Sequence, residues 1–369
     1  MMSKRQVVLE ALAFRPAAYV PWAWKMTIPC ARRVGEYLGG PGFATRQGGS
    51  CRSPTLRRGE EEIESFIDSH FLNIRTPVRR YETVGDGLVR DTYGVTWDRS
   101  VDPDIGTPVD WPIREEADLG RYRFPVADDP KLYEFIAPQL ERNKGLFRRF
   151  SIGYTLYERA WALRGMTQLL MDMIERPAFV DDLLDAIVEH VLEQVRQGLR
   201  YDFDAFYFGD DYGMQTGLIM GIKLWRRFFK PRLARIFAPV RGAGKSVFLH
   251  SCGQISSILD DLFEIGLNGL DPFQPEVMDV GRVMEQYRGR LAFHGGMGIQ
   301  KVLPFGTPQD VRSETRRLIA MGMNGGYIFA PSHAVPGDVP PENLVAMMEV
   351  LKGQSGYLES KFTREGMAQ

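Results

Sequence analysis

Cysteine and histidine are scarce in this chain, so the places where they do occur carry information. The 369 residues include three cysteines, Cys30, Cys51 and Cys252, and five histidines. An odd, sparse set of cysteines argues against a disulfide framework. The net charge of −1 gives no sign of a surface that binds polyanions, so no nucleic-acid partner is expected.

Long hydrophobic runs are lacking as well. No apolar run approaches the length of a membrane span, so no membrane partner is expected. The first residues, Met1 to Ala13, do not form the apolar core of a signal peptide, because Lys4, Arg5 and Glu10 interrupt them. The hydrophobic fraction of 44% and the charged fraction of 25% are ordinary for a soluble globular protein, and we expect a cytoplasmic one.

Short apolar segments alternate with amphipathic helical patterns along most of the chain. Eight such strands are predicted near residues 20, 71, 152, 206, 248, 269, 292 and 328. Eight βα units in a chain of this length predict the α/β class and a (β/α)8 TIM barrel, as a single domain over residues 1–369. A doubly wound sheet is the competing fold, but its glycine-rich phosphate turn after the first strand is missing.

One segment interrupts this alternation after the second strand. Val78–Trp97 alternates around Gly85-Asp86-Gly87, which predicts a β-hairpin with an Asp-Gly turn. Pro103–Pro130 is irregular and rich in proline. We therefore predict that residues 78–130 are an insertion that covers one end of the barrel.

Two metal-binding side chains follow the predicted strand near residue 248. His250 and Cys252 are two residues apart, and such side chains point to the same side of an extended chain. His333 follows the eighth strand, which nearly faces the fifth across a barrel mouth, and three protein ligands are usual for catalytic zinc. In the alternative, Cys252 is a small buried hydrophobe and each histidine bonds a loop. The spacing by itself slightly favours that alternative.

Other ionisable and polar residues cluster at or near the predicted carboxyl ends of strands, where a barrel carries its chemistry. Asp210 and Asp211 follow a buried strand and could bind a cation, act as a base or hold substrate; alternatively, one caps a helix and the other is solvated. Glu158 is a candidate site acid, with an ion pair to Arg159 as the alternative. The remaining candidates in this group are Gln215, His70 and His294.

Several motifs resemble the uroporphyrinogen decarboxylase superfamily from Tyr154 to the last helix. They are Gly209-Asp210-Asp211-Tyr212-Gly213-Met214-Gln215, His250-Ser251-Cys252-Gly253, Leu303-Pro304-Phe305-Gly306-Thr307-Pro308, Ala330-Pro331-Ser332-His333 and Pro340-Pro341-Glu342-Asn343. The resemblance implies a (β/α)8 barrel, in agreement with the strand count. Barrels of this superfamily often dimerise, so a homodimer is a further expectation.

The superfamily holds two chemistries, and the resemblance favours one of them. Decarboxylases have an arginine-rich N-terminal motif, but the corresponding Pro21–Met26 stretch has no arginine pair. Cobalamin-dependent methyltransferases share the His-x-Cys-Gly motif, which implies zinc on His250 and Cys252 with His333 as third ligand. Glu276 is a conceivable fourth ligand.

The resemblance thus implies a zinc-dependent methyltransferase that moves a methyl group between a small substrate and a corrinoid cofactor, carried by a separate corrinoid protein. Asp210, Asp211 and Gln215 would orient substrate or assist proton transfer, with Glu158 as a further catalytic candidate. His70 and His294 are candidate cofactor-binding residues. A cofactor-independent decarboxylase acting on a porphyrinogen is one alternative, and a binding protein without catalysis is another.

Overall fold

A computed structural model of the protein describes residues 2–38, 65–102 and 105–358. Cys51 and the stretch 39–58, which is predicted to be a loop, lie outside the described residues. No helix within the described part of the chain is long and apolar enough to cross a membrane.

Helices and strands alternate through much of the described chain. The α-helices are Lys4–Leu12, Ile28–Tyr37, Glu116–Arg121, Ile136–Arg142, Tyr157–Arg164, Met166–Glu175, Pro177–Gly198, Gly221–Phe228, Lys230–Gly242, Leu259–Glu264, Val280–Gln286, Val302–Phe305, Pro308–Gly322 and Pro341–Lys352. The strands are β1 (Phe71–Arg75), β2 (Tyr81–Gly85), β3 (Leu88–Asp91), β4 (Thr96–Asp98), β5 (Thr107–Asp110), β6 (Phe147–Ile152), β7 (Ala205–Gly209), β8 (Gly213–Met214), β9 (Gly217–Leu218), β10 (Ser246–His250), β11 (Gly269–Phe273), β12 (Ala292–Met297) and β13 (Tyr327–Pro331).

The chain divides into two compact units. The central unit consists of Asn73–Asn143 and Arg148–Asn268. The terminal unit consists of Met1–Leu72, Lys144–Phe147 and Gly269–Gln369.

Parallel strands form the core of the central unit. β6 pairs with β7, and β7 pairs with β10, so that Phe208 lies opposite Leu249 and Gly209 opposite His250. Every residue of β6 is buried. Burial on both faces is typical of parallel strands that helices cover on each side. In this register the carboxyl ends of β7 and β10 lie side by side.

A second sheet in the central unit is antiparallel. Its order is β2-β3-β4-β5, and β2 turns into β3 at Asp86 and Gly87. Gly87 has a φ of +67°, which glycine adopts without the strain that a Cβ would add. That residues 78–130 cover one end of a barrel stays a prediction.

The terminal unit is built around β11, β12 and β13, which are also parallel. Phe293 of β12 lies opposite both Leu270 of β11 and Tyr327 of β13. The strand predicted near residue 20 is reduced to single bridges, one of which joins Trp22 to Phe329. Thr307 caps the helix Pro308–Gly322, because its side chain accepts from the N–H of Asp310.

Glycine and proline mark helix boundaries at two places in the central unit. Gly165, with a φ of +88°, separates Tyr157–Arg164 from Met166–Glu175. Pro231 lies in the first turn of Lys230–Gly242. Proline fits that position because the first-turn N–H groups have no partner within the helix.

The α/β class predicted from the sequence is confirmed. Parallel strands that alternate with helices fit a TIM-barrel-like fold. The single barrel domain over residues 1–369 stays a prediction.

Candidate metal centre

The loops that follow β7 and β10 bring the predicted acidic and metal-binding residues of the central unit together. Asp210 and Asp211 leave the end of β7, and His250 is the last residue of β10. The N–H of Asp210 donates to the carbonyl oxygen of His250 at 2.9 Å, which continues the strand pairing by one residue.

His250 and Cys252 present their donor atoms to one another. Sγ of Cys252 lies 3.4 Å from Nε2 of His250. Tetrahedral zinc with Zn–N and Zn–S bonds of about 2.05 and 2.3 Å would hold such atoms about 3.5 Å apart. The other ring nitrogen, Nδ1, lies 2.8 Å from the hydroxyl of Tyr207. The pair therefore fits two corners of a zinc site, with Nε2 turned towards the thiol.

Asp211 lies against both of these residues. Its Oδ1 accepts the backbone N–H of Cys252 at 2.9 Å and lies 3.5 Å from Nε2 of His250. The Asp211 side chain is 39% exposed, so it remains open to solvent. Asp211 thus holds the Cys252 loop in place and adds a negative charge beside the imidazole.

Asp210 is buried, and its carboxylate is hydrogen-bonded to other residues of the central unit. Its carboxylate accepts the N–H groups of Leu156, Tyr157 and Glu158 at 2.7–3.1 Å. The Tyr212 hydroxyl adds a fourth hydrogen bond at 2.5 Å. Burial raises the pKa of Asp210 to about 7, although the bonds from Glu158, Tyr212 and Tyr157 favour the carboxylate. Asp210 therefore anchors the first turn of the helix Tyr157–Arg164.

Glu158 lies in that anchored first turn. Burial raises its pKa well above the usual value, and repulsion from Asp211 and Asp210 adds to the effect. Glu158 as a whole is partly exposed to solvent. A raised pKa favours the protonated form of a carboxyl group, which is the form that a general acid needs.

Two arginines that the sequence analysis did not single out as site residues oppose this effect on Glu158. Arg79 and Arg159 lower the Glu158 pKa, though less than burial raises it. The Arg79 guanidinium lies 4.0 Å from the centre of the Tyr154 ring, and both arginines lie within 3.7 Å of Asp91. The sequence signal that could have pointed to Arg79 as a site residue is its position shortly after the carboxyl end of β1.

Gln215 lies in the exposed turn between β8 and β9. This hairpin is held against the Cys252 loop, because the N–H of Gln254 donates to the carbonyl of Met214 at 2.7 Å. A Cβ on Gly253, whose φ is +83°, would lie 2.4 Å from the carbonyl carbon of Gly213. Glycine is required there by both the close approach and the backbone conformation.

His70 lies directly before β1, at the amino end of the strand. The sequence predicts His70 at or near the carboxyl end of a strand, and this prediction is wrong. The ring is fully buried, with Nε2 3.0 Å from the Tyr19 hydroxyl and its centroid 4.4 Å from that of Trp22. Burial lowers the pKa of His70 to about 3, so the ring is neutral at pH 7. It lies in the aromatic core of the terminal unit.

His294 and His333 also belong to the terminal unit. His294 is in β12, with Nδ1 3.0 Å from Oδ2 of Asp271 and Nε2 2.6 Å from the carbonyl oxygen of Ala23. Both ring nitrogens thus face acceptors of the same unit. His333 lies two residues after the end of β13. Glu276 accepts the N–H of Gln300 at 3.0 Å through Oε1, and no described residue bonds its buried Oε2.

The fold is that of an α/β superfamily that contains enzymes. The family model for uroporphyrinogen decarboxylase (URO-D) matches residues 157–354, more than half of the chain. The chain belongs to the uroporphyrinogen decarboxylase family.

Particular relatives extend this likeness beyond the matched segment. The chain is 22% identical over 263 residues to the uroporphyrinogen decarboxylase of Chlorobaculum tepidum, which covers 66% of this chain and 71% of that one. It is 24% identical to that of Danio rerio over 352 residues, 89% of each chain. Among solved structures, a methyltransferase from Methanosarcina mazei has the same fold, with a TM-score of 0.64, 14% identity and coverage of 96% of this chain and 99% of that one.

Proposed function

We propose that this protein is a zinc-dependent methyltransferase that moves a methyl group between a small substrate and a corrinoid cofactor, held on a separate corrinoid protein. The observation that carries the proposal is the 3.4 Å separation of the His250 and Cys252 donor atoms. A thiol and an imidazole at that separation suit tetrahedral zinc. The shared fold with the Methanosarcina mazei methyltransferase supports the reaction class.

In this proposal His250, Cys252 and His333 hold the zinc ion. Bound zinc would supply a Lewis acid, which keeps a thiol substrate as thiolate or polarises the oxygen of a methyl donor. Asp211 fixes the Cys252 loop through the 2.9 Å hydrogen bond to its N–H. Glu158, whose pKa is raised by burial, delivers a proton to the leaving group when the substrate is the methyl donor.

Asp210 and Gln215 serve this chemistry in different ways. Asp210 positions Glu158, because its carboxylate accepts the Glu158 N–H at 2.7 Å. Gln215 is at an exposed hairpin turn, where its amide would contact the substrate.

A cofactor-independent decarboxylase is the second candidate, and the names of the curated relatives favour it. A porphyrinogen carries many carboxylates and requires several fixed cations. The Pro21–Met26 stretch supplies a single cation, Lys25, and this argues against such a substrate.

The deciding experiment is the zinc content of the purified protein beside a His250→Ala/Cys252→Ala double variant. We expect about one zinc per chain in the natural protein, as a single three-ligand site requires, and its loss from the double variant. Cys30→Ala is the matched control, because it removes a thiol that is buried in the helix Ile28–Tyr37 and should keep the zinc.

Absence of zinc after growth in zinc-replete medium, together with turnover of uroporphyrinogen, would replace the methyltransferase proposal with the decarboxylase. Zinc retained in full by the double variant would place the metal elsewhere and contradict the ligand assignment.

A further inference from the structure

Tyr207 connects the His250 ring to the rest of the parallel sheet of the central unit. Tyr207 is in the middle of β7, and its hydroxyl lies 2.8 Å from Nδ1 of His250 at the end of β10. The strand register places Tyr207 opposite Phe248. Since side chains two residues apart share a face of a strand, His250 lies on the same face as Phe248 and within reach of Tyr207.

Tyr207 is itself held from the opposite side. The guanidinium of Arg149, a buried residue of β6, lies 4.5 Å from the centre of the Tyr207 ring. Nε of Arg149 donates to Oδ1 of Asn73, a residue of β1, at 2.7 Å. The strands β1, β6, β7 and β10 are neighbours in that order. A chain of side-chain contacts, one residue from each strand, therefore ends at His250.

The hydroxyl group suits the chemistry of a metal-binding imidazole. When Nε2 of a histidine binds a metal, Nδ1 carries the proton and needs an acceptor, which fixes the tautomer and the ring orientation. The Tyr207 oxygen can accept that proton. In the other tautomer Nε2 carries the proton, and the same hydroxyl donates to Nδ1. A phenol can thus bond to the ring before and after the metal binds, whereas phenylalanine can do neither.

We infer that Tyr207 is a positioning residue for the metal centre: it orients the His250 ring and stabilises the tautomer in which Nε2 is the metal-binding atom. Arg149 supports it by holding the phenol ring in place. This inference deepens the proposed function and rests on His250 being a zinc ligand. It adds a contact from β7 to a site whose proposed ligands follow other strands.

The test compares zinc affinity in the natural protein, in Tyr207→Phe and in Tyr37→Phe. Tyr37, at the end of the helix Ile28–Tyr37, is 55% exposed and serves as the matched control. Zinc Kd values come from competition with a chromophoric chelator, and urea unfolding of the metal-free proteins is measured alongside. Loss of a hydrogen bond to a metal-binding histidine typically weakens metal affinity about 10–100-fold, and we expect that loss in Tyr207→Phe only.

Cobalt substitution provides the second readout. In Tyr207→Phe we expect the thiolate-to-cobalt absorption to persist, because Cys252 is untouched, while the ligand-field bands shift with the altered imidazole. A packing role alone would lower the urea midpoint of the metal-free variant and leave the zinc Kd unchanged, and this result would overturn the inference. A natural protein that binds no zinc would overturn the proposed function and this inference together, whereas equal Kd values for all three zinc-binding proteins would overturn the inference only.

Discussion

The carboxylate of Asp210 accepts the backbone N–H of Glu158 at 2.7 Å, across 52 residues of chain. Asp210 follows β7, and Glu158 opens the helix after β6. Asp210 thus caps the helix, whose own N-cap residue Leu156 makes no side-chain cap hydrogen bond. The orientation of the proposed site acid is set by a residue that follows the neighbouring strand.

Replacing Asp210 with asparagine should destabilise the protein, because an amide N–H₂ group would then face N–H donors and the Tyr212 hydroxyl. A buried polar group left unsatisfied costs about 1–3 kcal/mol, and we expect a loss of this size in the free energy of unfolding. Urea unfolding at pH 8 measures it. Asp211→Asn is the matched control, because its side chain is 39% exposed and a change there should cost less than about 1 kcal/mol. Equal losses in the two variants would contradict the anchoring role.

Glu158→Gln should stabilise the protein at alkaline pH. The folded-state pKa of Glu158 is raised above its usual value of 4.5, so its contribution is fully present below pH 4.5 and is lost as pH rises through the folded-state value. One pKa unit corresponds to about 1.4 kcal/mol, and glutamine removes the buried charge. We expect a gain of more than about 1 kcal/mol at pH 8 and little change at pH 4.

The measurement is urea unfolding of both proteins across pH 4–8. Glu82→Gln is a suitable control, because this glutamate is exposed in β2 and its replacement should leave the pH dependence unchanged. A Glu158→Gln profile parallel to that of the natural protein would show that Glu158 ionises normally.

Gly253→Ala should displace the loop that carries Cys252. The new Cβ would lie 2.4 Å from the backbone of Gly213, and a φ of +83° costs a non-glycine residue about 1–2 kcal/mol. We expect a loss of stability above that range and weaker zinc binding. Gly244→Ala isolates the contact, because Gly244 has a φ of +70° but no atom within 4 Å of its Cβ position. The measurements are the free energy of unfolding and the zinc Kd of both variants. Equal losses in Gly253→Ala and Gly244→Ala would rule out the close approach to Gly213 as the cause.

His70 and His190 should make the protein sensitive to mild acid. Burial lowers the pKa of each ring to about 3, so both rings are neutral in the folded protein at pH 7. The stability this provides is fully present above the usual value of 6.5 and is lost as pH falls from there towards about 3. We expect the urea midpoint of the natural protein to fall steeply below pH 6.5.

Single His70→Gln and His190→Gln variants should each show a shallower fall, even where they are less stable at pH 7. The double variant should be shallower than either one. Unchanged slopes would assign the acid sensitivity to other groups.

Local patterns in the sequence predict part of this structure. The apolar runs that become β7, β10 and β13 are local signals, and each strand is found close to where it is predicted. The His-x-Cys spacing predicts that the two side chains share a side, because that depends on strand geometry only, and their donor atoms do lie together.

Signals that depend on distant residues are missed. The helix Tyr157–Arg164 has no cap signal at its N-cap residue, because its cap comes from Asp210. The sequence does not distinguish Tyr207 as a site residue, since only the register with β10 brings its hydroxyl to His250. His70 is predicted near the carboxyl end of a strand but lies at the amino end of β1. The difference matters, because one end of such a strand carries chemistry and the other carries packing.

The backbone contact between Gly213 and Gly253 holds the loop that carries Cys252, whereas the turn of the neighbouring hairpin is exposed. Gly213 and Gly253 approach one another through backbone atoms, so a side chain added at either position would force the Asp211 loop and the Cys252 loop apart. The turn at Gln215 and Thr216 projects from the same hairpin and is exposed. If the proposed function holds, descendants of this protein would acquire new substrates by changing the turn, while the proposed metal-binding pair keeps its spacing.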